Sequence, residues 1–450
     1  MATLDIYIND GFLPMVDGAL VYHRGFGERP TLASDPAPSL ALSPHVFTAN
    51  GRLVKSRIYP LGAVPPPHGR PEPVFSDPAN TGQYLVRLRY WASYFPERTL
   101  IAEAGSVISL RVHNTLAKEH ELRFLGAGPG GTDRSTGKIA PGQAALLEFA
   151  APAPGTYVYC DPGSRPDNAL LDPVERTLGL AGALMVTNTA APWRISPDGP
   201  EFERQWLWIC HAVDPEWARI ASRGETVDPL ATPAYPRYFT LNGRSGFQSL
   251  GISTDEAANQ IREEETLMSG SARQVDMRDF SQAVTPDSGR TGQMMRFVNT
   301  GVVFHQLHFH GNHVWTVFRN GRLFPRSGGF VDVDGDVVLQ HWEDVVQLHP
   351  LDRKDSVLPV RRPPEVINPV WDARSTDWHY PMHCHAEPSQ VAMGGMYPAG
   401  LVGDWILAAP ANVPPPPGAG PVIVPPPPVV APAKKPSVKP PKSRAKGRKP

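Results

Sequence analysis

The chain has 450 residues, 41% of them hydrophobic and 19% charged, with a formal net charge of −1. That length allows two or three domains and a sizeable core. Eight Lys or Arg and no acid stand in 434–450, which leaves the rest near −9 and argues against a nucleic-acid partner.

Three cysteines, Cys160, Cys210 and Cys384, are too few for a disulfide scaffold, although one Cys160–Cys210 bridge stays open. No apolar run is long enough to span a membrane. The start, MATLDIYIND, lacks a basic stretch followed by a long apolar one, so no secretion signal is expected. As written the chain reads as cytoplasmic, or as periplasmic or extracellular if a signal has been removed.

Residues 1–80, rich in Pro, Ser and Ala from 30 onward, read as an N-terminal extension covering the body. From 84 the pattern changes. YLVRLRYW, SVISLRVHN, HELRFLG, AALLEFA, GTYVYC and GALMVTN are short β-branched or aromatic runs separated by Gly, Pro or Asn. A second set follows from 203: RQWLWIC, RYFTLNG, MMRFVNTG, HQLHFHG, HVWTVFRNG, VVLQHWEDVVQLHP, DWHYPMHCH and LVGDWILAA. Such spacing predicts antiparallel strands in sandwiches or barrels. A helix over 254–270 is the one exception expected. RVHN and RFVN, then LRFLG and LHFHG, recur in the two sets. This weak repeat predicts an all-β protein of two related Greek-key sandwiches, over 81–195 and 196–410. Residues 411–450, Pro-rich and then basic, read as a disordered tail.

Nine of the fifteen histidines fall between 305 and 385. In HQLHFHG, His308 and His310 share a strand face. In WHYPMHCH, so do His383 and His385, with Cys384 on the opposite face. Two such pairs predict four imidazoles converging at the inner face of the second domain. Imidazole suits Cu, Zn, Fe and Ni, and a thiolate beside it favours copper or zinc. A copper thiolate site takes Cys, two His and often a weak axial Met. Cys384 and His305 are candidates for the thiolate and one imidazole, with Met393 or Met396 as axial candidates. Each reading has a bland counterpart. Lone histidines such as His68, His113 and His120 read as structural or surface residues, His341 and His349 as strand ends, and Met393 and Met396 as core. Asp377, Glu387 and Asp404 are candidates to orient the ligating rings.

HQLHFHG and HCH resemble the last-domain copper motifs of the multicopper oxidases, the laccase-like proteins built from cupredoxin domains. Landmarks similar to that family cover most of 84–410. RVHNTLAKEHELRFLG, PGQAALLEF and PGTYVYC match its first-domain frame, and YFTLNGRS, MRFVNTGVVFHQLHFHG and DWHYPMHCH its last. The arrangement is similar to the small two-domain laccases, which implies a ring-shaped homotrimer. The resemblance implies copper as cofactor, with a small reductant and dioxygen as substrates. It places His305 and Cys384 at a mononuclear copper, and His308, His310, His383 and His385 at a cluster where dioxygen is reduced.

The match has gaps. The family cluster takes four more histidines from the first domain. Here those positions are Arg123, Leu125, Cys160 and Pro162. The second mononuclear histidine is Ser389, and the axial position is Gly394. Cys160 reads as a buried residue rather than a replacement ligand. Three functions stay open: a divergent oxidase of phenols, aromatic amines or metal ions; a cupredoxin-fold protein that binds metal or a partner without turnover; and a subunit whose missing histidines come from another chain. A zinc hydrolase using Glu343, Asp344 or Glu387 is a weaker alternative.

Overall fold

A computed structural model describes residues 3–27, 97–246, 292–358 and 378–407, with short interruptions, and a few short strands between them. Of the helix expected over 254–270 only Thr266–Leu267 is described, and it is a strand paired with Gln205 and Trp206; the tail at 411–450 lies outside the described residues. Chain through Val413 forms one compact unit. It is almost entirely β. The two helices of the described residues, Pro173–Thr177 and Pro215–Ser222, both begin at an Asp-Pro step. Asp214 shows why: its carboxylate accepts the N–H groups of Glu216 and Trp217 while Pro215 holds a first-turn position.

Four sheets carry the unit. The first has the order 144–150, 107–114, 4–14, 20–27. The second is seven-stranded and includes 123–124, 155–160, 181–187 and 97–103. These two enclose a core of Ile6, Ile8, Leu110, Phe124, Phe149 and Tyr159. A nine-stranded sheet (238–241, 202–213, 292–299, 353–358, 314–319) and a four-stranded one (345–348, 305–309, 378–384, 402–407) form the second sandwich. Trp208, Phe297, Phe309, Leu348 and Met382 fill it.

The all-β expectation therefore stands, with two corrections. Pairing is mixed, because 4–14 runs parallel to 107–114, 97–103 to 181–187, and 202–213 to 292–299. Residues 4–27 are not a covering segment. Leu4–Pro14 lies between 107–114 and Leu20–Gly27 inside a sheet, and Leu4, Ile6 and Ile8 enter the core. Asp5, Tyr7 and Asn9 alternate with them, the period of a half-buried strand.

The wide sheets face each other. Strand Gly155–Cys160 is buried at every residue. Tyr157 and Tyr159 enter the first core and Val158 the second, so both faces are covered. This is why GTYVYC reads as a continuous apolar run. Gly155, at φ +151°, lies against the Phe318 ring; a Cβ there would meet Phe318 Cζ at 2.7 Å. Deeper in, Thr156 Oγ1 donates to Asp355 Oδ1 (2.6 Å), and Arg296 Nη1 donates to Thr156 Oγ1 (3.0 Å) and Asp355 Oδ2 (3.1 Å). All three cysteines are buried and free, so no Cys160–Cys210 bridge forms.

Two corners repeat in detail. Asn114 and Asn299 are both buried. Asn114 donates to the carbonyls of Lys118 and Ile139 and accepts from the Leu116 N–H. Asn299 donates to the carbonyls of Val303 and Leu348 and accepts from the Gly301 N–H. The local offsets, four residues and two, are the same. The RVHN and RFVN landmarks thus mark one structural device used twice.

Candidate metal centre

Strand His305–Phe309 pairs antiparallel with Trp378–Cys384, so that Leu307 faces Cys384 and His308 faces His383. Side-chain alternation then sorts the residues. His305, Leu307, Phe309, Met382 and Cys384 turn to the core and are buried. His308 and His383 turn the other way, joined by His310 and His385 just past the two strand ends.

The four rings converge. His308 Nδ1 lies 3.4 Å from His383 Nε2 and 2.9 Å from His385 Nε2, and His383 Nε2 lies 3.1 Å from His310 Nε2. Ligand atoms of His308, His310 and His383 all lie within 4.8 Å of one another, close enough to share an ion, and His385 joins them through His308. His308 and His383 are half-buried, and His310 and His385 are exposed. The expected inner-face placement is corrected. Apolar side chains fill the core-facing side, and alternation puts the imidazoles on the opposite, solvent-accessible side. Burial, followed by the neighbouring imidazoles, holds His308 below its ordinary pKa. Burial also lowers His383. Both favour the neutral ring, the form that binds metal. The other nitrogen of His308, Nε2, lies 3.7 Å from Asp344 Oδ2. Asp344 is therefore the carboxylate beside the cluster. Glu387 is exposed on a short 3-10 turn, the side chain of Asp404 lies outside the described side chains, and Asp377 lies outside the described residues.

On the core side, Cys384 Sγ lies 3.6 Å from His305 Nδ1 and accepts the Gln306 N–H at 3.2 Å. Burial, with a further push from His211, lowers His305 to about 3. Its Nε2 has no hydrogen-bond partner. Ser389 is buried, but its hydroxyl donates to the Ala386 carbonyl. Gln390 donates from its side chain to the His385 carbonyl. Met393 is 44% exposed at φ 49°, outside the buried shell around Cys384. Met396 lies outside the described residues. Among the described residues, the pair thus has two evident soft or borderline donors, Cys384 and His305.

The remaining histidines of the cluster region sit elsewhere. His313 stacks on Trp342 with ring centres 5.3 Å apart, and His349 packs on Phe304 at 4.9 Å. The side chains of His341 and His379 lie outside the described ones.

The first sandwich shows what occupies the corresponding strands. Cys160 pairs with Arg123 and Tyr159 with Phe124, as His383 pairs with His308 and Met382 with Phe309. Arg123 is held by the Glu121 carboxylate. Cys160 is fully buried, and burial pushes its thiol up to about 12, which keeps it protonated.

No protein-family model matches the sequence, and no curated protein does. Among solved structures, the chain is similar to the blue copper oxidase of Nitrosomonas europaea at 14% identity, over 89% of this chain and 84% of that one, with a TM-score of 0.49. The multicopper oxidase mgLAC gives 14% identity, 90% and 86% coverage and 0.49. The copper-containing nitrite reductase of Thermus scotoductus SA-01 gives 14%, 92%, 62% and 0.45. At these identities and TM-scores the likenesses carry no statement about activity. No helix among the described residues is long and apolar enough to cross a membrane.

Proposed function

We propose that the chain is a copper protein of the multicopper-oxidase type. His308, His310, His383 and His385 hold one copper or two, and His305 and Cys384 form a reduced mononuclear site behind them. One observation carries this reading: ligand nitrogens of His308, His310 and His383 all lie within 4.8 Å of one another, with His385 Nε2 2.9 Å from His308 Nδ1. Copper, when bound, supplies one-electron redox chemistry.

The chain's own groups do the rest. Cys384 is bonded in sequence to His383 and His385, so one buried thiol connects directly to two solvent-side rings. The Gln306 N–H donates to that sulfur. The core around Cys384 and His305 keeps water away from both. Phenols, aromatic amines and low-valent metal ions are the reductant classes this reading admits, with dioxygen as acceptor. Arg123 and Cys160 stand where histidines would complete a larger cluster, so three coppers within one chain are not expected.

The test is elemental analysis after copper loading of the full chain and of a His383→Ala/His385→Ala double variant. Copper should fall sharply in the variant, and equal copper in both would remove the assignment. Absorption near about 600 nm that disappears in Cys384→Ser would place copper on the thiolate.

A second reading is favoured by the exposure of His310 and His385, which leaves one side of the cluster open. A further copy of the chain closes that side in a head-to-tail ring, as a homotrimer. Light scattering of the copper-loaded protein should give three times the chain mass; a monomer mass excludes it.

A further inference from the structure

The corner that holds Cys384 and His305 also exists in the first sandwich, with different donors. Since Cys160 and Arg123 pair as His383 and His308 do, Asp161 takes the place of Cys384 one residue on. Three residues before Arg123, His120 takes the place of His305. Hydrogen bonds agree with this register. The Glu121 N–H donates to Asp161 Oδ2 at 3.2 Å, as the Gln306 N–H donates to Cys384 Sγ at 3.2 Å. The Asp161 N–H donates to the Leu180 carbonyl, as that of Cys384 does to Leu401. The Leu180 N–H donates to the Glu175 carbonyl, as that of Leu401 does to Ser389. Glu175 thus stands where Ser389 stands.

Three donors meet at this point. His120 Nδ1 lies 2.8 Å from Asp161 Oδ2 and 3.8 Å from Glu175 Oε2, and the three ligand atoms lie within 4.8 Å of one another. His120 and Asp161 are each 1% exposed. Among the described residues His120 Nε2 has no hydrogen-bond partner, and the same holds for His305 Nε2. Each ring thus has one partnered nitrogen, Nδ1, and one that the described residues leave unmet.

We propose that His120, Asp161 and Glu175 form a second, thiolate-free cation site. One imidazole and two carboxylates suit a borderline or hard divalent ion, Mn²⁺ or Zn²⁺, rather than Cu(I). The carboxylates carry the supports that ligating carboxylates have. Arg24 Nη1 donates to both Glu175 oxygens at 2.6 and 2.5 Å, and the Gly163 N–H donates to Asp161 Oδ1 at 2.9 Å. Asp161 and Glu175, though not His120, also line a cavity of about 440 Å³ with Arg24, Lys118 and Lys138.

The alternative is that Arg24, paired with Glu175, and Lys138, 3.7 Å from Asp161 Oδ1, are the counter-charges and the corner excludes ions. The two are separated by titrating Mn²⁺ into the chelator-stripped full chain and following free Mn²⁺ by its electron paramagnetic resonance signal. Mn²⁺ is used because carboxylate oxygen suits it and an all-imidazole set does not. The site should bind one Mn²⁺ per chain, unchanged in His383→Ala/His385→Ala. Binding should weaken by about tenfold or more in Glu175→Gln and in His120→Gln. Copper uptake at the four-histidine cluster, measured on the same two variants, reports that they have folded. No bound Mn²⁺ or Zn²⁺ in the parent chain overturns the proposal. So does equal binding in a folded variant.

Discussion

Arg296 and Asp355 are 1% and 0% exposed and lie where the two sandwiches meet. Burial pushes the Asp355 carboxyl up and the Arg296 guanidinium down, each against the pull of its partner. Removing one member leaves a buried charge without compensation, at a cost of about 3–5 kcal/mol. Arg296→Met should therefore destabilise strongly. Arg296→Met/Asp355→Leu should lie closer to the parent than either single change, as read from urea midpoints; a double variant worse than both singles would contradict this account. His211 gives a pH dependence of known sign. Its Nδ1 contacts the Thr300 hydroxyl and its Nε2 the Thr177 carbonyl, and burial lowers it from 6.5 to about 3. The unfolded chain therefore binds the extra proton between these values, and the folded chain does not. Stability contributed by the neutral ring is complete above pH 6.5 and declines as pH falls toward 3. Unfolding free energy measured across that range should slope downward toward acid, and His211→Gln should flatten the slope.

Elements show where the sequence was readable. HFH and HCH were legible because a strand's period of two leaves no freedom: given one face for Cys384, the flanking rings take the other. By the same parity His120, three residues before Arg123, takes the face opposite to it. What it did not show is that this face is the position of His305, although HELRFLG and HQLHFHG share the same three-residue spacing. Glu175 was harder still. Only the hydrogen bond that closes Leu180 onto it fixes its equivalence to Ser389, and the intervening chains differ in length. Leu4–Pro14 was missed despite its alternation, because the Pro-rich stretch after it dominated the reading. The two helices carry a plain Asp-Pro start but are too short to show a helical period. The asparagine corners make a prediction at this scale. Asn299→Ala leaves the carbonyls of Val303 and Leu348 and the Gly301 N–H without that partner, at about 1–3 kcal/mol for each group left unmet. Asn114→Ala should cost a similar amount. Only Asn299→Ala should also lower copper content, since Val303 and Leu348 flank the strands that aim His305 and His308. Equal copper in both variants would separate the corner from the metal centre.

For the whole molecule, the decisive feature is that one apolar core runs between the sandwiches. Ile101, Val158 and Met185 of one pack with Trp208, Phe297 and Leu307 of the other. Neither half keeps its buried surface if the other opens. Calorimetry should show one transition, with calorimetric and van't Hoff enthalpies equal; two resolved transitions would mean that the halves fold separately. Such coupling makes each half intolerant of change in its framework, yet the duplicated corners show where tolerance survives. A backbone N–H donates to sulfur in one corner and to a carboxylate oxygen in the other, and the asparagine bonds do not depend on which donor is present. Chemistry at that point can be exchanged while the architecture holds still. A duplicated protein of this kind can drift in what it handles without drifting in shape, and its two halves can part company in reactivity long before they part company in form.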